Sequence, residues 1–76
     1  MSKFLVRFAG QYLGTEVEAA NHQKAAIAFL EKNCDSEKHE ALLEHPGYML
    51  VSRGSGEPVK FRVSAEASYQ FYANEA

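Results

Sequence analysis

Seventy-six residues suffice for one small domain, whose thin core buries roughly 60–65% of the surface of the unfolded chain. Hydrophobic residues make up 46% of the chain, an ordinary globular fraction. Eight basic residues against ten acidic ones leave a formal charge of −2, too little to argue for DNA mimicry or for indiscriminate binding to nucleic acid.

Phe4, Val6 and Phe8 alternate with Lys3, Leu5 and Arg7, which predicts a first strand. Gly10 permits a turn. Tyr12 to Ala19 predicts a second strand, with Leu13, Thr15, Val17 and Ala19 toward the core. Gly14 inside it marks a bulge or a close backbone approach. Asn21 then offers a side-chain oxygen to the first free amides of a helix. Ala26, Ile27, Leu30 and Cys34 follow at helical spacing, with Phe29 beside them, and Asn33, Asp35 and Ser36 break the pattern.

Asp35 or Ser36 can cap a second helix with the body EKHEALLEH, anchored by Leu42 and Leu43 and stopped by Pro46 and Gly47. Tyr48 to Arg53 and Val59 to Val63 predict a second hairpin across GSGEP. Pairing Met49 with Val63 and Val51 with Phe61 makes residues 54–58 the loop. The last stretch, SAEASYQFYANEA, carries two signals. Its alternation fits a strand, while Ser64 before Ala-Glu-Ala fits a capped helix, and the helix is the favoured reading, with Tyr69 and Tyr72 inward and Phe71 at the margin. Val17-Glu18-Ala19 and Val63-Ser64-Ala65 then end two similar halves, so an internal ββα repeat is weighed against chance recurrence.

The single cysteine, Cys34, excludes an internal disulfide and fits a reducing compartment. MSKFLVRFAG places Lys3 and Arg7 inside its apolar run, unlike a signal peptide, and no run reaches membrane-spanning length. The expectation is a soluble, cytoplasmic protein.

Little in the sequence carries chemistry. His22, Cys34, His39 and His45 lack the close pairs of a structural zinc site, so three surface histidines and one buried thiol are expected, with no cofactor. A Cys34–His39 nucleophilic pair would also need an oriented base, an oxyanion hole and a cleft. The glycines of GQYLG and GSGEP link strand to strand, whereas a phosphate loop runs from a strand into a helix. Glu31, Asp35, Glu37, Glu40 and Glu44 read as a solvated helical face. Glu16 and Glu18 can pair across strands with Lys3 or Arg7.

The outer sheet face is more informative. It gathers Lys3, Leu5, Arg7, Tyr48, Leu50, Lys60 and Arg62, with Tyr12 near the first turn. Two leucines and a tyrosine there make an apolar patch, and tyrosine with arginine is typical of interface anchors. A wet face with cross-strand ion pairs, or one half-covered by the second helix, is the plainer reading.

The expected fold is α+β: a single domain with a four-stranded antiparallel sheet and helices mainly on one face, in the order β-β-α-α-β-β-α. The expected function is non-enzymatic protein binding, as an adaptor or an inhibitor of a larger protein or complex. That broad class includes phage and mobile-element inhibitors such as anti-CRISPR proteins, to which size and style alone connect this chain. The alternative is a nucleic-acid-binding module, in which Tyr48, Lys60 and Arg62 stack on bases and meet phosphates. An enzyme completed by a partner subunit is the third reading. A thin core also makes a homodimer an expected form.

Overall fold

The computed structural model describes residues 2–33, 36–54, 56–67 and 70–76. Cys34 as a buried thiol, metal ligand or nucleophile, Asp35 as a cap, Tyr69 as an inward residue and the side chain of Ser36 lie outside the described residues.

Seven elements follow one another: β1 (Ser2–Phe8), β2 (Thr15–Ala19), α1 (His22–Asn33), α2 (Ser36–Glu44), β3 (Gly47–Arg53), β4 (Val59–Ala65) and β5 (Phe71–Glu75). The fold is α+β. Its antiparallel sheet has five strands in the order β2-β1-β3-β4-β5, not the four expected. The extra strand is β5, where a terminal helix was the favoured reading. Phe71 and Ala73 are buried while Tyr72 is exposed, so the period of two in this stretch reports the true structure. Ser64 caps nothing; it lies inside β4 opposite Tyr72. A strand at this place also removes the proposed ββα repeat.

The β3–β4 register is displaced by two residues from the sequence reading: Met49 pairs with Phe61, and Val51 with Val59. A shift of two preserves every side chain's face. Strand β2 is shorter than expected. Leu13, assigned to the core, is 88% exposed in the loop before it, and Thr15 is exposed as well. Gly10, at φ +93°, sits in the turn that Gln11 closes by donating to Phe8 O.

Both helices lie on one face of the sheet. Val6, Met49, Val51 and Val63 are fully covered there, with Phe4 and Phe61 nearly so. Helix α1 adds Ala25, Ala26 and Leu30, and Ile27 and Phe29 pack at the margin. Its start is capped as expected: Lys24 N donates to Asn21 Oδ1 at 2.8 Å. His22 meets Phe4 edge-on at 4.8 Å, and Phe29 meets Phe8 at 6.0 Å.

Helix α2 buries Leu42, which packs near Gly47 and Val63, while Leu43 is largely exposed. One of the three supposed surface histidines is also buried. His39 is 5% exposed, lies edge-on to Phe71 and sits 2.6 Å from Glu66 O through Nε2. A carbonyl only accepts, so Nε2 carries the proton and donates. His39 thus secures the β4–β5 connection to α2.

Two substitutions check this account. Asn21→Ala should cost about 1 kcal/mol and lower the thermal midpoint by about 4–8 °C. His39→Leu should cost about 1–3 kcal/mol, because it strips a donor from a part-buried carbonyl. Thermal or urea unfolding reads both, and strand-type chemical shifts at residues 71–75 check the last element.

Candidate functional site

The face of the sheet opposite the helices carries the side chains of alternate residues from all five strands. Register fixes its rows. Glu16, Leu5 and Ser52 form one row. Arg7, Leu50 and Lys60 form the next, and Tyr48, Arg62 and Asn74 the next. Ser64 and Tyr72 follow toward the β5 edge. Seven of the eight residues gathered on this face from sequence therefore share one surface: Lys3, Leu5, Arg7, Tyr48, Leu50, Lys60 and Arg62. The eighth, Tyr12, stands apart, wholly exposed in the β1–β2 loop. Helix α2 does not cover this face, because its buried side chains Leu42 and His39 lie on the other.

Three large apolar or aromatic side chains are substantially open here: Leu5 at 46%, Tyr48 at 43% and Tyr72 at 41% exposure. Leu50 lies half-buried between them. Lys60 arches over Tyr48, with Nζ 4.5 Å from the ring centroid. That cation–π contact straightens the lysine stem across the patch and holds the ring against β4. Arg62, directly opposite Tyr48, is exposed. Arg7 is turned toward the loop instead, where Nη1 donates to Gln11 O at 2.7 Å.

Leu5 is held by the same loop. A Cβ on Gly14 would lie 2.6 Å from Leu5 Cγ, so the glycine lets the backbone run directly over the leucine. The close approach expected at Gly14 is present, though just outside β2. Charge is divided across the face. Lys3, Arg7, Lys60 and Arg62 run over β1 and β4, while Glu16 and Glu18 occupy β2. Lys3 Nζ lies 3.6 Å from Glu16, with both groups about two-thirds exposed, so this pair contributes roughly 0–1 kcal/mol.

Tyr72 also stands on this face, where a terminal helix would turn it inward; the alternation through Phe71 and Ala73 is the sequence signal for it. Its hydroxyl donates to Gln70 Oε1 at 3.2 Å. The Glu66 carboxylate, an alternative acceptor for that one proton, raises the Tyr72 pKa above its ordinary value of 10.0, with desolvation and the carboxylate's charge adding to the effect.

Among the described residues, no three His, Cys, Asp or Glu side chains come together to hold a metal, and no helix is long and apolar enough to cross a membrane. Comparison with protein-family models, curated proteins and solved structures returned no match.

The Lys60–Tyr48 contact can be measured directly. A double-mutant cycle with Lys60→Met and Tyr48→Leu should return a coupling of about 0.5–1 kcal/mol, the range for exposed cation–π pairs.

Proposed function

We propose that this protein is a non-enzymatic binding module that uses its outer sheet face to hold another protein, as an adaptor or as an inhibitor of a larger complex. The observation that carries the reading is a single sheet face on which Leu5, Tyr48 and Tyr72 stand open, with Arg62 and Lys60 beside Tyr48. Tyrosine and arginine supply large contact areas and strong hydrogen bonds in desolvated interfaces. The basic residues beside them favour a partner surface that combines apolar groups with carboxylates. The likeness to phage and mobile-element inhibitors, anti-CRISPR proteins among them, remains one of size and style. A cytoplasmic setting fits a chain with one cysteine.

Nucleic acid is the second reading, favoured by Tyr48, Lys60 and Arg62 standing together. Two features weigh against it. Lys60 already occupies a face of the Tyr48 ring on which a base would stack, and Glu16, Glu18 and Glu66 repel phosphates.

The experiment is affinity capture with the tagged chain, with and without nuclease, comparing wild type with the Tyr48→Ala/Arg62→Ala variant. The variant's thermal midpoint should hardly move, since surface substitutions usually cost within about 0.5 kcal/mol. Partner affinity should fall by about 2 kcal/mol or more, the usual cost of truncating an anchor. A Glu40→Ala/Glu44→Ala control, on the helix side, should retain the partner. Capture lost on nuclease treatment, or binding that falls steeply with salt, would replace the protein partner with nucleic acid.

A further inference from the structure

The two edges of the sheet are unlike. Ala9 N donates to Tyr48 O at 3.0 Å, so the odd-numbered residues of β1 bond to β3. The even-numbered ones then bond to β2, through Thr15, Val17 and Ala19. The backbone N–H and C=O groups of Glu16 and Glu18 therefore point away from the sheet, and none of the described residues bonds to them. At the other edge, the Glu66–Gln70 and Ala76–Lys60 bonds turn the backbone of Phe71, Ala73 and Glu75 outward. There Gln23 of α1 donates to Ala73 O at 2.6 Å and occupies the middle of the edge. One edge is blocked by a helix side chain; the other is open.

A groove flanks the open edge, between β2 and α1. One depression of about 470 Å³ lies over Ala19, Ala20, Ile27 and Ala28. A second of about 500 Å³ lies over Val17, Ala28 and Phe29. They meet at Glu18 and Ala28, so the groove follows the strand. Its depth comes from alanines where larger side chains would close the gap.

We infer that this edge and groove receive an extended segment of another protein as a sixth strand, and that the segment alternates basic with apolar residues. Strand addition supplies backbone hydrogen bonds from Glu16 and Glu18, and alternate side chains supply specificity. Side chains on the helix side enter the groove against Ile27 and Ala28, with Lys24 and Lys32 also on its wall, so this side takes apolar residues of moderate size and excludes basic ones. The intervening ones lie on the outer face beside Glu16 and Glu18. On the outer face Lys3 pairs with Glu16 and faces Glu18 across the register, so one lysine serves two carboxylates and negative charge remains there for an arriving Lys or Arg, whereas Lys24 and Lys32 stand on the helix side of the groove. A second copy of β2 would set glutamate against glutamate, which destabilises pairing. The site is separate from the outer-face cluster and does not rest on it.

The test uses a capped seven-residue peptide of alternating lysine and valine, its glutamate–valine counterpart, and the lysine–valine peptide N-methylated at the lysines, whose N–H groups face β2 when the added strand runs antiparallel to it, like every other neighbour in this sheet. With the unmodified basic peptide, the Glu16 and Glu18 amide resonances should shift and gain protection from hydrogen exchange. N-methylation should weaken binding by roughly tenfold or more, since it removes the edge hydrogen bonds. The glutamate–valine peptide should not bind. Ala28→Leu, which fills the groove with a good helix former, should also weaken binding at least roughly tenfold. Glu18→Lys, at an exposed position opposite Lys3, gives a second variant whose folding cost is that of one exposed like-charge pair. Tyr48→Ala/Arg62→Ala should bind the peptide as wild type does. The inference is overturned if the N-methylated peptide binds equally well, if the shifts centre on Tyr48, Arg62 and Tyr72 or on the β5 edge, if both Ala28→Leu and Glu18→Lys leave affinity unchanged, or if the basic peptide fails to bind at about 1 mM.

Discussion

Two inner rows of side chains hold this molecule together. Val6, Val51 and Val59 form one, and Phe8, Met49 and Phe61 the other, each crossing β1, β3 and β4 in register. Val6, Val51 and Met49 are wholly removed from solvent. β-Branched and long apolar side chains suit this setting, because they fill the space above a pleated surface without rotameric strain. Leu30, Ala25 and Ala26 of α1 then lie on the rows, and small alanines let the helix approach closely. Once the helices have taken this face, the other face is left to solvent or to a partner.

Much of this was legible from the residues. Strands β1, β3 and β4 show their period of two plainly, and α1 declares both its cap and its apolar stripe. The assignment of outer and inner faces survived a two-residue slip in the β3–β4 register, because faces depend on parity alone. The rest depended on tertiary contacts. Ser64 and the alanines after it have the local chemistry of a helix start, but Phe71 and Ala73 gain more by completing the sheet under α1 and α2. Leu13 continues the alternation of β2 in sequence, yet β1 offers no pairing beyond Val6↔Thr15, so the strand ends and the side chain faces water. The burial of His39 has no local signal at all; it follows from the position of the Glu66 carbonyl and the Phe71 ring.

The candidate site was legible to the same degree. Seven of its residues come together because they sit at outward parity on strands whose period of two is plain. The helix-like start of the terminal segment masks Tyr72, and Tyr12 lies in a loop because β2 is shorter than its alternation predicts. The free backbone of Glu16 and Glu18 could not be read from sequence, because it depends on strand order. Placing β1 in the interior, next to β3, is what makes β2 an edge.

That same placement has a kinetic meaning. Strands β3, β4 and β5 form a meander of neighbours in sequence, and β1 with β2 form a separate hairpin. The seam between the two is the β1–β3 ladder, in which Phe8 faces Met49. Closing it spans a loop of about 40 residues, so the entropic cost of association falls almost entirely on this one step. Helices α1 and α2 lie within that loop, and forming them first shortens the distance to be searched. The seam is therefore expected to set the folding rate. Interrupting it would leave a hairpin and a meander, each with one face of exposed valine and phenylalanine, able to recombine with the complementary half of another copy.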